Sequence, residues 1–292
     1  MSTEGPMAGK ASFDDIYDQP DPRAYIRELS ELEYQIPGHA SGIFRYLIDQ
    51  VRDRRDGSFA VADLCCSYGF NPALINHDLT LEALFARYGT PEIAALSPDE
   101  LAASDRAFYA ARRRPDALPV VGLDVASNAV EYARRIGILD VAAAENLESD
   151  EPSEGLRRDL DHVGLITVTG GIGYITETTF DRLLNAISAE MAPWVAAFTL
   201  RWVDMEPIRR ALHRHGLALE RLDGHTFRQR RFADAGERAH ALSELRRIGV
   251  DPEGIETDGY HHTWLYLARP AGEAKANPID ELLAPALPPA RA

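Results

Sequence analysis

The segment Val61-Ala-Asp63-Leu-Cys65-Cys66-Ser67-Tyr68-Gly69-Phe-Asn71 sets a buried-strand pattern directly before small residues and then a helical pattern. Small side chains at a strand-to-helix turn let a ligand press against backbone, because bulky Cβ substituents block its approach. A nucleoside fits a turn of this kind. Further on, Gly122-Leu-Asp124-Val125-Ala126-Ser127 closes a second apolar run with a carboxylate. At a strand end a carboxylate presents two acceptor oxygens to two neighbouring donors. The same group also suits capping of the helix that follows.

These two segments resemble the first and second motifs of the class I S-adenosylmethionine-dependent methyltransferases. Asp63 stands in the acidic position of the first motif, and Cys65, Ser67 and Gly69 stand where that family usually has three glycines. Two of the three glycines are therefore replaced. Asp124 matches the second motif, in which the strand-end acid holds both ribose hydroxyls. The resemblance implies S-adenosyl-L-methionine as cofactor, with Asp63, Cys65, Ser67, Tyr68, Gly69, Asn71, Asp124, Val125 and Ala126 at its site. Glu145 and Asn146 follow a third strand, where the family often sets an acid or amide against the adenine amino group; an exposed loop carboxylate is the other reading. Thr169 and Gly170 open the glycine-rich turn that ends at Tyr174, where the family keeps a turn beside the methyl-transfer centre. The likeness covers about residues 59–200.

In such a fold the site lies outside the carboxyl ends of the strands, so the loops after the fourth and fifth strands line it. Tyr174, Arg201 and Trp202 are the substrate-side candidates there. Tyr25 and His39 join them from an aromatic N-terminal segment that also holds Tyr17 and Tyr34 and reads as a helical lid. For proton transfer the candidates are Tyr174 and His261. His225 and His262 are further imidazoles, but His261 and His262 are adjacent and face opposite sides of a strand, so at most one serves as a base.

The elements that must position these residues are short apolar runs alternating with helices. Seven runs read as strands: Phe59 to Cys65, Val120 to Val125, Asp140 to Ala144, Val163 to Val168, Trp194 to Leu200, Leu217 to Leu222 and Thr263 to Ala268. The expected fold is α/β and Rossmann-like: a seven-stranded, mainly parallel sheet with helices on both faces and an antiparallel edge strand. One strand-helix-strand unit needs only about 30 residues, and Asp63 and Asp124 are much further apart than that. A helical insertion is therefore expected over residues 74–118, its second helix opened by a capping box at Ser97 and Glu100. If it stands at the cofactor end of the sheet, it encloses a compact pocket. The expected organisation is a disordered stretch over 1–13, an N-terminal helical lid over 14–57, the core over 58–269 and a flexible tail over 270–292.

With Lys+Arg 31 against Asp+Glu 46, the net charge of −15 repels a nucleic-acid backbone or an anionic membrane surface. Adjacent Cys65 and Cys66 inside an apolar run form neither a disulfide framework nor a spaced metal site. No bound metal is expected, and a reducing, cytoplasmic setting fits. No stretch reads as a membrane span or leader. A homodimer is compatible with the sequence and not required by it.

The resulting expectation is methyl transfer to oxygen or nitrogen, with carbon as a third option, of a small metabolite. A peptide or protein methyltransferase and an inactive cofactor-binding regulator are the alternatives, the second prompted by the replaced glycines. A nicotinamide-dependent oxidoreductase is disfavoured, since no G-x-G-x-x-G follows the first strand.

Overall fold

The computed structural model describes residues 17–55 and 57–287; the stretch over 1–13 expected to be disordered lies outside them. Five strands run parallel in the order β3 (Val141–Ala143), β2 (Val120–Leu123), β1 (Ala60–Leu64), β4 (Val163–Thr169) and β5 (Trp194–Leu200). The long strand β8 (Tyr260–Pro270) is antiparallel to β5, pairing Leu200 with Thr263 at one end and Val195 with Ala268 at the other. This is the doubly wound, Rossmann-like arrangement with an antiparallel edge.

Alternation along each strand explains why the runs are apolar throughout. Trp194, Ala196 and Phe198 of β5 join one core cluster, while Val195 and Ala197 join the other. Leu265 and Leu267 of β8 divide from Tyr266 and Ala268 in the same way. Both faces are therefore covered. Helices α2 (Ile36–Asp53), α3 (Phe70–Asn76) and α7 (Ser127–Arg135) cover the first face, and α8 (Glu154–Leu160), α9 (Glu177–Ala186), α10 (Glu206–Arg214) and α11 (Ala235–Arg247) cover the second.

The strand count differs from expectation. An eighth strand, β7 (Phe227–Arg231), pairs with the Tyr260–Thr263 end of β8, and β6 (Leu217–Arg221) pairs with the Tyr266–Pro270 end of the same edge. The sequence FRQRR lacks apolar alternation, which hides this strand from a hydrophobicity reading. The flexible tail expected from Pro270 does not hold up to residue 287. Helices α12 (Ala271–Ala276) and α13 (Ile279–Leu283) bury Ala274, Ile279, Leu282 and Leu283, and Arg269 ties them down through Glu220 and the Asn277 carbonyl at 2.5 and 2.7 Å.

The insertion is helical, with α4 (Leu81–Tyr88), the single turn α5 (Pro91–Ala94) and α6 (Pro98–Ala110), and both halves of the Ser97/Glu100 capping box are formed. Its anchor is Asp105, fully buried and receiving hydrogen bonds from Arg87, Tyr88 and Tyr132. Of the N-terminal segment read as a lid, α2 is packed core: Ile36, Ala40, Phe44 and Leu47 recur at helical spacing on its buried face, and Phe44 meets Phe198 edge-on at 5.6 Å. The stretch through α1 (Arg23–Glu31) to Pro37 at the start of α2 overlies the carboxyl ends of the strands.

Candidate functional site

Strands β1 and β4 are neighbours whose onward connections leave toward opposite edges of the sheet, and ligands bind at such a switch point. A cavity of about 460 Å³ opens there, outside the carboxyl ends of β1, β2 and β4. Its floor is the bend after β1. Cys65, Ser67 and Gly69 have φ values of 53°, 49° and 81°, so the three alternate small positions are the ones with left-handed backbone. Two of them carry side chains in a region that disfavours any Cβ. The bend aims the Ser67 N–H at Asp124, donating to Oδ2 at 2.9 Å, while the Ala126 N–H donates to Oδ1 at 3.0 Å.

Asp124 is almost fully buried and also accepts from the Tyr17 hydroxyl at 2.8 Å. Burial pushes its carboxyl above the ordinary value in spite of these hydrogen bonds. Tyr17 is pushed well above the usual phenol range by burial and by the nearby Asp124 charge. Residues 17–19 form a strap across this side of the cavity. Asp18 caps α7 by accepting from the Asn128 N–H at 2.7 Å, and the Gln19 N–H donates to the Tyr68 hydroxyl at 3.0 Å.

Of the residues expected at the cofactor, Cys65, Ser67, Asn71, Asp124, Val125, Glu145, Asn146, Thr169 and Gly170 line the cavity. Asp63 does not. It is fully buried beneath the floor, accepting from Asn71 Nδ2 at 2.9 Å and Thr167 Oγ1 at 2.6 Å, and burial lifts its carboxyl to about 7. Asp63 thus acts through Asn71, which also donates to Thr169 Oγ1 at 3.0 Å. Tyr68, Gly69 and Ala126 likewise shape the floor without lining it: Tyr68 holds the strap, Gly69 turns into α3, and Ala126 supplies its N–H to Asp124. The Glu145 carboxylate is already taken by Ser153, at 2.9 Å from its N–H and 2.7 Å from its hydroxyl.

On the substrate side, Tyr25 and Tyr174 line the cavity, and Tyr174 is exposed at its mouth. His39, Arg201, Trp202 and His261 do not line it. His39 lies outside the lining with its ring 6.1 Å from Phe227. Arg201 is buried in an ion pair with Glu256 at 2.6 Å and donates to the Asp251 carbonyl, because the chain after α11 folds over that end of β5. Trp202 packs edge-on against His240 of α11. His261 is buried beside Glu237 at 3.3 Å and under Phe232. No insertion residue among those described lines the cavity either; α4 instead buttresses α1, and Phe85 meets Phe70 at 6.1 Å.

Lining residues that the sequence reading does not single out include Phe70, Glu148, Ile175, Thr179, Gln229 and Arg230. Glu148 follows the Glu145-Asn146 pair by two or three positions. Burial raises its carboxyl, but hydrogen bonds from Thr179 and Thr176 outweigh this and hold it below the ordinary range. Gln229 and Arg230 lie on the strand the sequence conceals.

No protein-family model matches the chain, and no curated protein matches its sequence. Among solved structures it is similar to a TehB-like SAM-dependent methyltransferase from Corynebacterium glutamicum, 15% identical over 83% of this chain and 94% of that one, with a TM-score of 0.39. It is also similar to the magnesium protoporphyrin IX methyltransferase ChlM of Synechocystis with bound SAM, at 11% identity over 80% and 81% of the two chains and a TM-score of 0.39. A third is the plantazolicin methyltransferase BamL in complex with a triazolic desmethylPZN analog and SAH, at 11%, over 88% and 96%, with a TM-score of 0.42. At these values the neighbours lend no residue roles to this chain.

Proposed function

We propose that this protein is an S-adenosylmethionine-dependent methyltransferase acting on oxygen or nitrogen of a small molecule, with carbon as a third acceptor. One observation carries the reading: a left-handed bend after β1 and the strand-end carboxylate of Asp124 face one cavity at the topological switch point. The residues fit the cofactor the resemblance implies. Asp124 offers acceptor oxygens to ribose hydroxyls, and the small residues from Cys65 to Ser67 allow close approach of a ligand to backbone. Val125, an exposed apolar side chain beside Asp124, and Asn146 suit a flat, polar-edged base. When bound, S-adenosylmethionine supplies a methyl group activated on a sulfonium sulfur.

The protein's own task is to align the acceptor with that methyl and to exclude water. The aromatic wall of Tyr17, Tyr25 and Phe70, closed by the strap, does the second. No histidine stands among the described lining residues, which favours acceptors that are nucleophilic without an imidazole base. Among the described residues no helix is long and apolar enough to cross a membrane. The compact cavity favours a small molecule over a peptide.

Calorimetry with S-adenosylmethionine, S-adenosylhomocysteine and NAD tests the reading. The first two bind, NAD does not, and Asp124→Ala weakens binding by at least about tenfold, as expected for loss of charged hydrogen bonds. Binding of NAD alone, or unchanged affinity in the variant, overturns it. Incubation with a metabolite fraction then yields a product heavier by one methyl group.

A further inference from the structure

Gln229 and Arg230 are consecutive residues of β7, and consecutive strand residues ordinarily face opposite sides of a sheet. Here both are buried and both line the cavity. The cause is a slip in the β7–β8 ladder between Arg228 and Arg230, a bulge that re-aims a side chain. The two side chains then differ in what they have left to offer. Arg230 is committed to Glu237 through two hydrogen bonds of 2.9 and 2.6 Å. Gln229 Oε1, by contrast, has no hydrogen-bond partner among the described residues, although the residue is 98% buried by its 2% exposure. A buried amide oxygen without a donor is unfavourable, and a ligand donor in the cavity relieves that cost when the terminal amide turns its oxygen to the cavity side.

The surroundings define what such a ligand is. Tyr25 and Phe70 stack at 5.8 Å with 19° between their planes, and Tyr34 stands 6.2 Å from Phe70. All three rings line the cavity with Leu29 and Pro37, a set of flat apolar surfaces that favours a flat ring. Arg230 is neutralised by Glu237, and burial pushes the Tyr34 hydroxyl up to about 12, so that it stays uncharged. An anionic ligand would lose its hydration here without gaining a free counter-charge.

We propose that the part of the cavity between Gln229 and the Tyr25–Phe70 wall is a subsite for a flat, uncharged aromatic ring whose O–H or N–H donates to the Gln229 amide oxygen. This deepens the methyltransferase reading, on which it rests for the ring as part of the acceptor molecule; the Gln229 amide orients that ring and takes up no proton. The probe is 2-naphthol, titrated by calorimetry with and without saturating S-adenosylhomocysteine, alongside 2-naphthoate and decahydro-2-naphthol. The aromatic alcohol binds at least about tenfold more tightly than either comparator, the size expected for one well-placed hydrogen bond or ring contact. Gln229→Met weakens 2-naphthol by a similar factor and leaves S-adenosylhomocysteine affinity within about twofold.

Equal binding of the saturated alcohol, tighter binding of the carboxylate, or undiminished 2-naphthol affinity in Gln229→Met overturns the subsite. The comparator series on the unaltered protein decides the matter even if the variant does not fold. Binding of S-adenosylhomocysteine without 2-naphthol overturns the subsite and leaves the nucleoside reading standing. Binding of 2-naphthol alone, with the expected selectivity, supports the subsite and overturns that reading.

Discussion

The hydroxyl of Tyr17 donates to the Oδ2 of Asp124 at 2.8 Å, across 107 positions of sequence. The Ser67 N–H reaches the same oxygen at 2.9 Å. A ribose hydroxyl seeking that carboxylate therefore meets a phenol already bound to it, and the strap of residues 17–19 competes with a nucleoside for one acceptor.

Tyr17→Phe removes the competing donor and keeps the ring that packs edge-on against Tyr25 at 5.4 Å. A hydrogen bond to a carboxylate contributes about 1.5 kcal/mol or more, so S-adenosylhomocysteine should bind at least about tenfold more tightly to the variant. Calorimetry checks the sign. Weaker binding would mean that the phenol helps to hold the nucleoside.

The floor of the cavity tests the bend itself. Ser67 at φ 49° carries a Cβ where glycine is at ease. Ser67→Gly relieves that conformation but frees the unfolded chain, so stability in urea titration changes by less than about 1 kcal/mol. Ser67→Val places a β-branched side chain at positive φ and costs at least about 2 kcal/mol. A harmless valine would show that the bend is not held left-handed in solution.

These positions also show what was legible in the sequence. Asp63, Cys65, Ser67 and Gly69 announce a strand, a bend and a helix because small residues at alternate positions have a local, steric meaning. Asp124 could be read from its place at the end of an apolar run. Of the candidates that missed the cavity, Arg201 and Trp202 rest on a strand end and His261 on its imidazole alone, and the chain from β6 to β8 folds over that side of β5 and buries them. Gln229 was out of reach for a further reason. Its strand lacks alternation, and the bulge that turns it inward is set by pairing with β8, a non-local event with no local signal.

Asp63 makes stability depend on pH in an unusual direction. Burial lifts its carboxyl from an ordinary 3.8 to about 7 in the folded protein. Between these values the folded state holds a proton that the unfolded state has released, so Asp63's contribution is full below pH about 4 and is lost as pH rises toward 7. Asp63→Asn does not titrate, and its amide oxygen can still accept from Asn71 and Thr167. The stability of the variant relative to the unaltered protein should therefore increase from pH 5 to pH 8 in urea titrations at each pH. A constant difference would place the folded carboxyl near its ordinary value.

The buried group behind Gln229 follows the opposite sign. Burial raises the Glu237 carboxyl, but hydrogen bonds from His261 and Arg230 and their charges outweigh it, holding Glu237 well below its ordinary value. Its contribution is present above about pH 4.5 and is lost as pH falls. Glu237→Gln leaves Arg230 buried without its counter-charge, and breaking such a pair costs about 3–5 kcal/mol. His261→Gln keeps the Arg230–Glu237 pair but loses a hydrogen bond to a charged carboxylate and should cost about 1.5–3 kcal/mol. Because His261 does not line the cavity, that variant should also keep the shape of the pH profile of methyl transfer. Loss of one limb of the profile in His261→Gln, with stability preserved, would return this histidine to the chemistry. Loss of stability alone keeps it as support for the strand that carries Gln229.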